Sequence, residues 1–174
     1  VVINGHSEYW SARAYNGLDA YLRGGGDALV LSGNTMFWRV SFDESDEVME
    51  VRKYGTRIGG RKLAQIGELY HSHDFQRGSL MRFCGYPAWK VVGLTCIGWG
   101  GAFKPYQVNE PNHFLFNTPH RVGLQKGDTF GFIDSKTGAV GHEFDVRLST
   151  LQRATADPAI KQLAEPEGIV TVAS

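Results

Sequence analysis

The sequence has no excess of charge of either sign: 18 Lys and Arg balance 18 Asp and Glu over 174 residues. That balance excludes the broad basic footprint of a nucleic-acid binder and leaves only local patches. Long hydrophobic runs are missing as well, and nothing approaches the ~20 consecutive apolar residues that span a bilayer. Cysteine is scarce: Cys84 and Cys96 are too few for a disulfide framework. A cytoplasmic protein without membrane or nucleic-acid partners is expected. Polar tails are absent, since the chain opens on Val1-Val2-Ile3 and closes on Ile169-Val170-Thr171-Val172. Both ends read as strands, so a fragment, or one chain of a cleaved protein, is expected. Glycine, by contrast, is abundant: 22 residues, nearly twice the usual ~7%. So much glycine points to tight turns and a β-rich fold. At 42% hydrophobic and 21% charged residues, composition matches a folded domain and excludes disorder. A chain of this length buries roughly two-thirds of its unfolded surface as one domain.

Local patterns give the fold class. Val1–Asn4 is a short apolar run read as a buried strand. Ser11 caps a helix over 12–23, in which Ala14, Leu18, Tyr21 and Leu22 share one face. Gly24-Gly25-Gly26 ends it, with one glycine in the left-handed position. Ala28–Leu31 is a second buried strand running into Ser32-Gly33-Asn34. Strand, helix, strand within so short a span predicts a parallel pair with a right-handed crossover. Beyond Asn34 the pattern changes. Residues 35–42 and 47–53 read as strands around the acidic turn Asp43–Asp46, and 55–70 stays unassigned. Segments 79–84, 89–97, 113–117, 129–133 and 139–147 also read as strands. Asp157-Pro158 starts a helix to about 164, and 169–173 is a last strand. The expected fold is therefore α/β: one domain with a parallel core from 1–34 and 148–174, carrying an antiparallel β insertion over 35–147.

In parallel sheets, ligands bind beyond the carboxyl ends of the strands. His6, Glu8 and Tyr9 follow the first strand, and Asn34 follows the second. In extended chain His6 and Glu8 point the same way, so both can reach one metal ion or one substrate. The plainer alternative has Glu8 capping a helix and His6 satisfying a carbonyl. His71-Ser72-His73-Asp74 offers two imidazoles as a metal clip or, more plainly, a solvated strand face. Glu143 and Asp145 project together near Arg147, as in a surface ladder of ion pairs. Cys96 lacks the preceding glycine of a nucleophile elbow and reads as a buried strand cysteine. Gly98-Trp99-Gly100-Gly101 is no phosphate loop, because no helix with Lys-Ser/Thr follows. Trp38, Trp89, Trp99, Phe114 and Phe116 read as core, and His113 and His120 as loop residues.

One family resemblance unites several of these segments. Gly5-His6-Ser7-Glu8-Tyr9-Trp10, Gly25-Gly26 and Leu31–Trp38 resemble the large (β) subunit family of N,N-dimethylformamidase. There a GSHPEYW-type segment precedes an LGGNGFYW-type one at near-identical separation. Pro87–Tyr106, His113–Phe116, Gly123-Leu124, Gly127–Gly131 and Gly141–Asp145 continue the match in order along nearly the whole chain. The resemblance implies a glutamine-amidotransferase-like α/β core with β insertions. It implies hydrolysis of a small amide to a carboxylate and an amine at a mononuclear ferric site bound by two tyrosinates and one glutamate. Residue by residue, Glu8 is then the metal ligand, His6 a catalytic neighbour of the iron, Asn34 an orienter of substrate or water, and Glu143 the acid/base carboxylate. Both tyrosine positions match upstream of residue 1, so the remaining ligands are expected outside this chain. Tyr9 is not the matched position, and Phe37 stands where many relatives have Tyr. The expected partners are a small amide substrate, the rest of its own polypeptide or another chain, and a small subunit within an oligomer.

The chemistry suits such a set. A ferric ion is a hard Lewis acid matched to carboxylate and phenolate donors. Two other classes remain open on the sequence: a non-catalytic structural or interaction module with the same fold, and a carbohydrate-binding α/β protein with an aromatic cleft.

Overall fold

The computed structural model describes residues 1–53, 66–99, 103–141 and 143–174. Most of the unassigned stretch 55–70, together with Gly100, Gly101 and His142, lies outside the described residues. In chain order the elements are β1 (Val2–Asn4), β2 (Tyr9–Ser11), α1 (Ala12–Arg23), β3 (Leu29–Leu31), β4 (Trp38–Phe42), β5 (Met49–Val51), α2 (Trp89–Val92), β6 (Thr95–Trp99), β7 (Tyr106–Gln107), β8 (Thr129–Phe130), β9 (Glu143–Val146), α3 (Leu148–Ala154) and α4 (Pro158–Lys161). The chain is mixed α/β, with small sheets of two or three strands and few helices. It divides into two compact units, Val1–Ile97 with Asp145–Pro166, and Gly98–Phe144 with Glu167–Ser174.

The first unit contains the strand–helix–strand unit expected from the sequence. β1 and β3 are parallel, with Val2 opposite Leu29 and Asn4 opposite Leu31. Between them α1 starts where the Ser11 hydroxyl accepts the Ala14 amide at 3.1 Å, satisfying one of the orphan donors of the first turn. It stops in a Schellman arrangement. Gly26 N–H reaches Tyr21 O and Gly25 N–H reaches Leu22 O, both at 3.0 Å. Gly25 makes this possible at φ +87°, a conformation that costs glycine little. The inward face of α1 sets Tyr15 and Leu18 against Met36, Met81 and Ala88. Burying side chains of this size is worth roughly 1.5–3 kcal/mol each. The Tyr15 hydroxyl donates to Pro87 O at 3.0 Å, and burial, helped by Asp19, pushes its pKa up to about 12.

A second sheet orders β2-β4-β5. β2 and β4 are parallel, with Tyr9 opposite Trp38, and β4 and β5 are antiparallel, with Val40 opposite Val51. In their connection the Asp43 carboxylate accepts the amides of Glu47 and Val48, both at 2.9 Å. Residues 79–81 prolong this sheet along β4: Arg39 N–H donates to Ser79 O, and Met81 N–H to Phe37 O.

In the second unit β7 and β8 are antiparallel, with Tyr106 opposite Phe130, their rings stacked at 5.5 Å. Phe116 packs edge-on to Phe130 at 5.5 Å. Residues 104 and 140 bridge, as do 108 and 173. β6 and β9 form a further two-stranded sheet.

Several expected strands are something else. Residues 79–84 make one bridge, Trp38 to Leu80, and then a 3-10 turn over Met81–Phe83. The run 89–97 splits into α2 and β6, because Gly93 turns the chain at φ +76° between them. Residues 113–117 form a 3-10 turn over Phe114–Phe116. The final segment contributes a single bridge at Ala173. Short apolar runs fit a buried turn of helix as well as a strand, so periodicity alone could not separate them. β1 and β3 are also less buried than expected: Val2 is 66% exposed, Leu29 52% and Leu31 56%. A two-stranded sheet covers only one of its faces.

Candidate functional site

The carboxyl ends of β1 and β3 lead into two loops, 5–8 and 32–37, and backbone hydrogen bonds zip these together. Ser7 N–H donates to the Ser32 hydroxyl at 3.2 Å. Met36 N–H donates to Ser7 O at 3.0 Å, and the amides of Phe37 and Trp38 both donate to Glu8 O, at 2.9 and 2.7 Å. The Trp10 indole pins Ser7 further, donating to its carbonyl at 2.8 Å and to its hydroxyl at 3.0 Å. Glu8 is therefore held by its backbone, which leaves its side chain for other work.

His6 and Glu8 do come together. His6 Nδ1 lies 3.8 Å from Glu8 Oε1, with the imidazole 84% exposed and the carboxylate 20% exposed. A recess of about 460 Å³ opens beside His6, lined also by Ser7, Tyr9, Trp10 and β1 and without Glu8 in its wall. Tyr9 is already engaged: the Lys53 ammonium donates to its hydroxyl and sits over its ring, 4.7 Å from the centroid.

Asn34 follows on the adjoining loop. It is buried and takes a left-handed backbone at φ +57°, as does Met36 at φ +56°. Its amide donates to the Asp145 carboxylate, 3.0 Å from Oδ2 and 3.3 Å from Oδ1. The Asp145 carboxylate thus clamps the Asn34 backbone, while Arg147 pairs with Glu165, with Nε 3.2 Å from Oε1 and Nη2 2.5 Å from Oε2. That guanidinium, aided by Ser149, holds the Glu165 carboxyl down at about 2. In the sequence Asp145 is marked by its place two residues after Glu143 and by the Gly141–Asp145 family match, neither of which points to Asn34. Glu143 opens β9 in the second unit, where it is half-buried and its amide donates to Gly141 O at 2.9 Å.

His71 and His73 do not form a metal clip. His71 turns inward, 1% exposed, with Nδ1 2.5 Å from the Ser41 hydroxyl. His73 faces Glu50 instead, at 4.0 Å. The two lie in a turn rather than a strand, so their side chains do not share a face. Cys96 is buried, as are Trp38, Trp89 and Phe116, whereas Phe114 is 64% exposed. No group of three or more His, Cys, Asp or Glu among the described residues could hold a metal ion. Glu8 and His6 supply one hard oxygen donor and one imidazole, which fits part of a metal shell and not the whole of it. No helix among the described residues is long and apolar enough to cross a membrane.

The sequence matches the family model described as "N,N-dimethylformamidase beta subunit-like, C-terminal" over residues 1–174, so the chain belongs to that family. No curated protein matches it.

Proposed function

We propose that this chain is part of a metal-dependent hydrolase of small amides, with its reaction centre at the loops that follow β1 and β3. Family membership supports the formamidase-like reading. The observation that carries it is the His6–Glu8 pair, 3.8 Å apart, beyond the carboxyl ends of a parallel strand pair. That parallel pair with its helical crossover also supports a glutamine-amidotransferase-like core.

In this reading Glu8 would hold a ferric ion, with the remaining ligands supplied from outside these residues. The bound ion would polarise the amide carbonyl and acidify water. The chain's own residues do the rest. The family resemblance assigns the proton transfer to Glu143, whose carboxylate would take a proton from the attacking water and return it to the amine nitrogen as the C–N bond breaks. The Asn34 carboxamide donates to the oxygen that gathers negative charge, a contact worth ~3 kcal/mol in comparable sites. His6 orients Glu8 or the water by hydrogen bonding. The family description, "beta subunit-like", supports an assembly with another subunit; that this is a small subunit, and that the protein is cytoplasmic, are parts of the same proposal.

The test is hydrolysis in water enriched in oxygen-18. Intact iron-loaded protein given N,N-dimethylformamide, formamide or acetamide should release the amine and a carboxylate carrying the heavy oxygen. Failure to cleave any small amide would overturn the reading.

A further inference from the structure

We propose that Asp145 is a positioning residue for this centre, acting through the backbone of Asn34; the inference rests on the hydrolase reading above. Asp145 lies 111 residues from Asn34 in sequence, yet both its carboxylate oxygens face the Asn34 amide, at 3.0 and 3.3 Å. A methyl group on Gly33 would stand 4.0 Å from Oδ2, so the carboxylate packs over the Gly33–Asn34 peptide. The clamped residue is one that needs clamping. Asn34 and Met36 both hold left-handed backbone, at φ +57° and +56°, and side-chain-bearing residues stay there only where their surroundings over-determine them. At one end of this stretch Asp145 fixes the Asn34 amide. At the other, Met36, Phe37 and Trp38 donate to the carbonyls of Ser7 and Glu8. The carboxylate thus sets the reach of the Asn34 side chain and, through four peptide links, the position of Glu8. A charged acceptor suits the task because a hydrogen bond to a carboxylate is shorter and stronger than one to a neutral oxygen.

The experiment pairs amide NMR with kinetics on the intact protein. The Asn34 amide proton should lie far downfield in the wild type and move upfield in Asp145→Ala. The same substitution should lower kcat on N,N-dimethylformamide by on the order of 100-fold, with a smaller change in KM. Asp145→Asn keeps an oxygen acceptor of the same shape and should recover part of kcat while retaining its iron. It also serves as the readout if the alanine variant does not fold. An Asn34 amide indifferent to Asp145, or wild-type kcat in the alanine variant, overturns the proposal. An amide that follows Asp145 in protein that cleaves no small amide overturns the hydrolase reading and leaves the clamp standing.

Discussion

His71 shows how a single side chain can couple stability to pH. Burial, and then the charge of Arg39, push its pKa below the ordinary value, and its Nε2 has no hydrogen-bond partner among the described residues. The native imidazole is therefore neutral. Once pH falls below the unfolded value of about 6.5, the unfolded chain binds a proton that the native state resists. Stability is full above that value and declines below it, levelling off once pH passes the native pKa. Glu50 adds a lower window. Burial works to raise its carboxyl, but the Ser72 hydroxyl and amide and the Arg52 guanidinium outweigh this and hold it at about 2. Its contribution is present above the ordinary 4.5 and is lost as pH falls toward about 2. Urea unfolding of His71→Gln at a series of pH values should show a flatter profile just below 6.5 and an unchanged one lower down; equal slopes in both proteins would count against the account. On the sequence His71 reads with His73 as a metal clip or, more plainly, as a solvated strand face, and neither reading places it in the core. Two histidines one residue apart look alike in sequence, and only the turn at 72–74 sends one to the core and the other toward Glu50.

At the scale of elements, legibility followed capping chemistry. α1 could be read with its ends because Ser11 and the glycine triplet are strong local signals, whereas Asp157-Pro158 marked only the start of α4, which stops at Lys161 and not near 164. The runs around 80, 90 and 115 read as strands but fold largely as short helical turns; near 90 the break is at Gly93, and near 80 residues distant in sequence decide it. The pairing of Leu80 with Trp38 and of Arg39 with Ser79 draws that segment onto β4 for a few residues only. Gly138 shows how tightly such loops are drawn. It bridges Phe132, and a Cβ there would lie 1.7 Å from the Lys104 carbonyl carbon and 2.0 Å from Pro105 N. Both are backbone atoms, so no side-chain rotation relieves the clash. Gly138→Ala should lower stability by more than about 1 kcal/mol, read as a fall in melting temperature. An unchanged melting temperature would contradict that close approach.

Across the whole molecule, the sequence carried the placement of His6, Glu8 and Asn34 after parallel strands, since that placement depends on local chain order. The role of Asp145 was not legible, because it depends on a contact 111 residues long. The account's central claim is that Glu8 contributes the protein's carboxylate to a metal. Iron analysis of the intact protein beside its Glu8→Ala variant tests this most directly, with circular dichroism as the check on folding. The expected result is stoichiometric iron in the wild type and its loss from a variant that remains folded. A folded Glu8→Ala protein that keeps its iron, or a wild type that binds none, would contradict the claim.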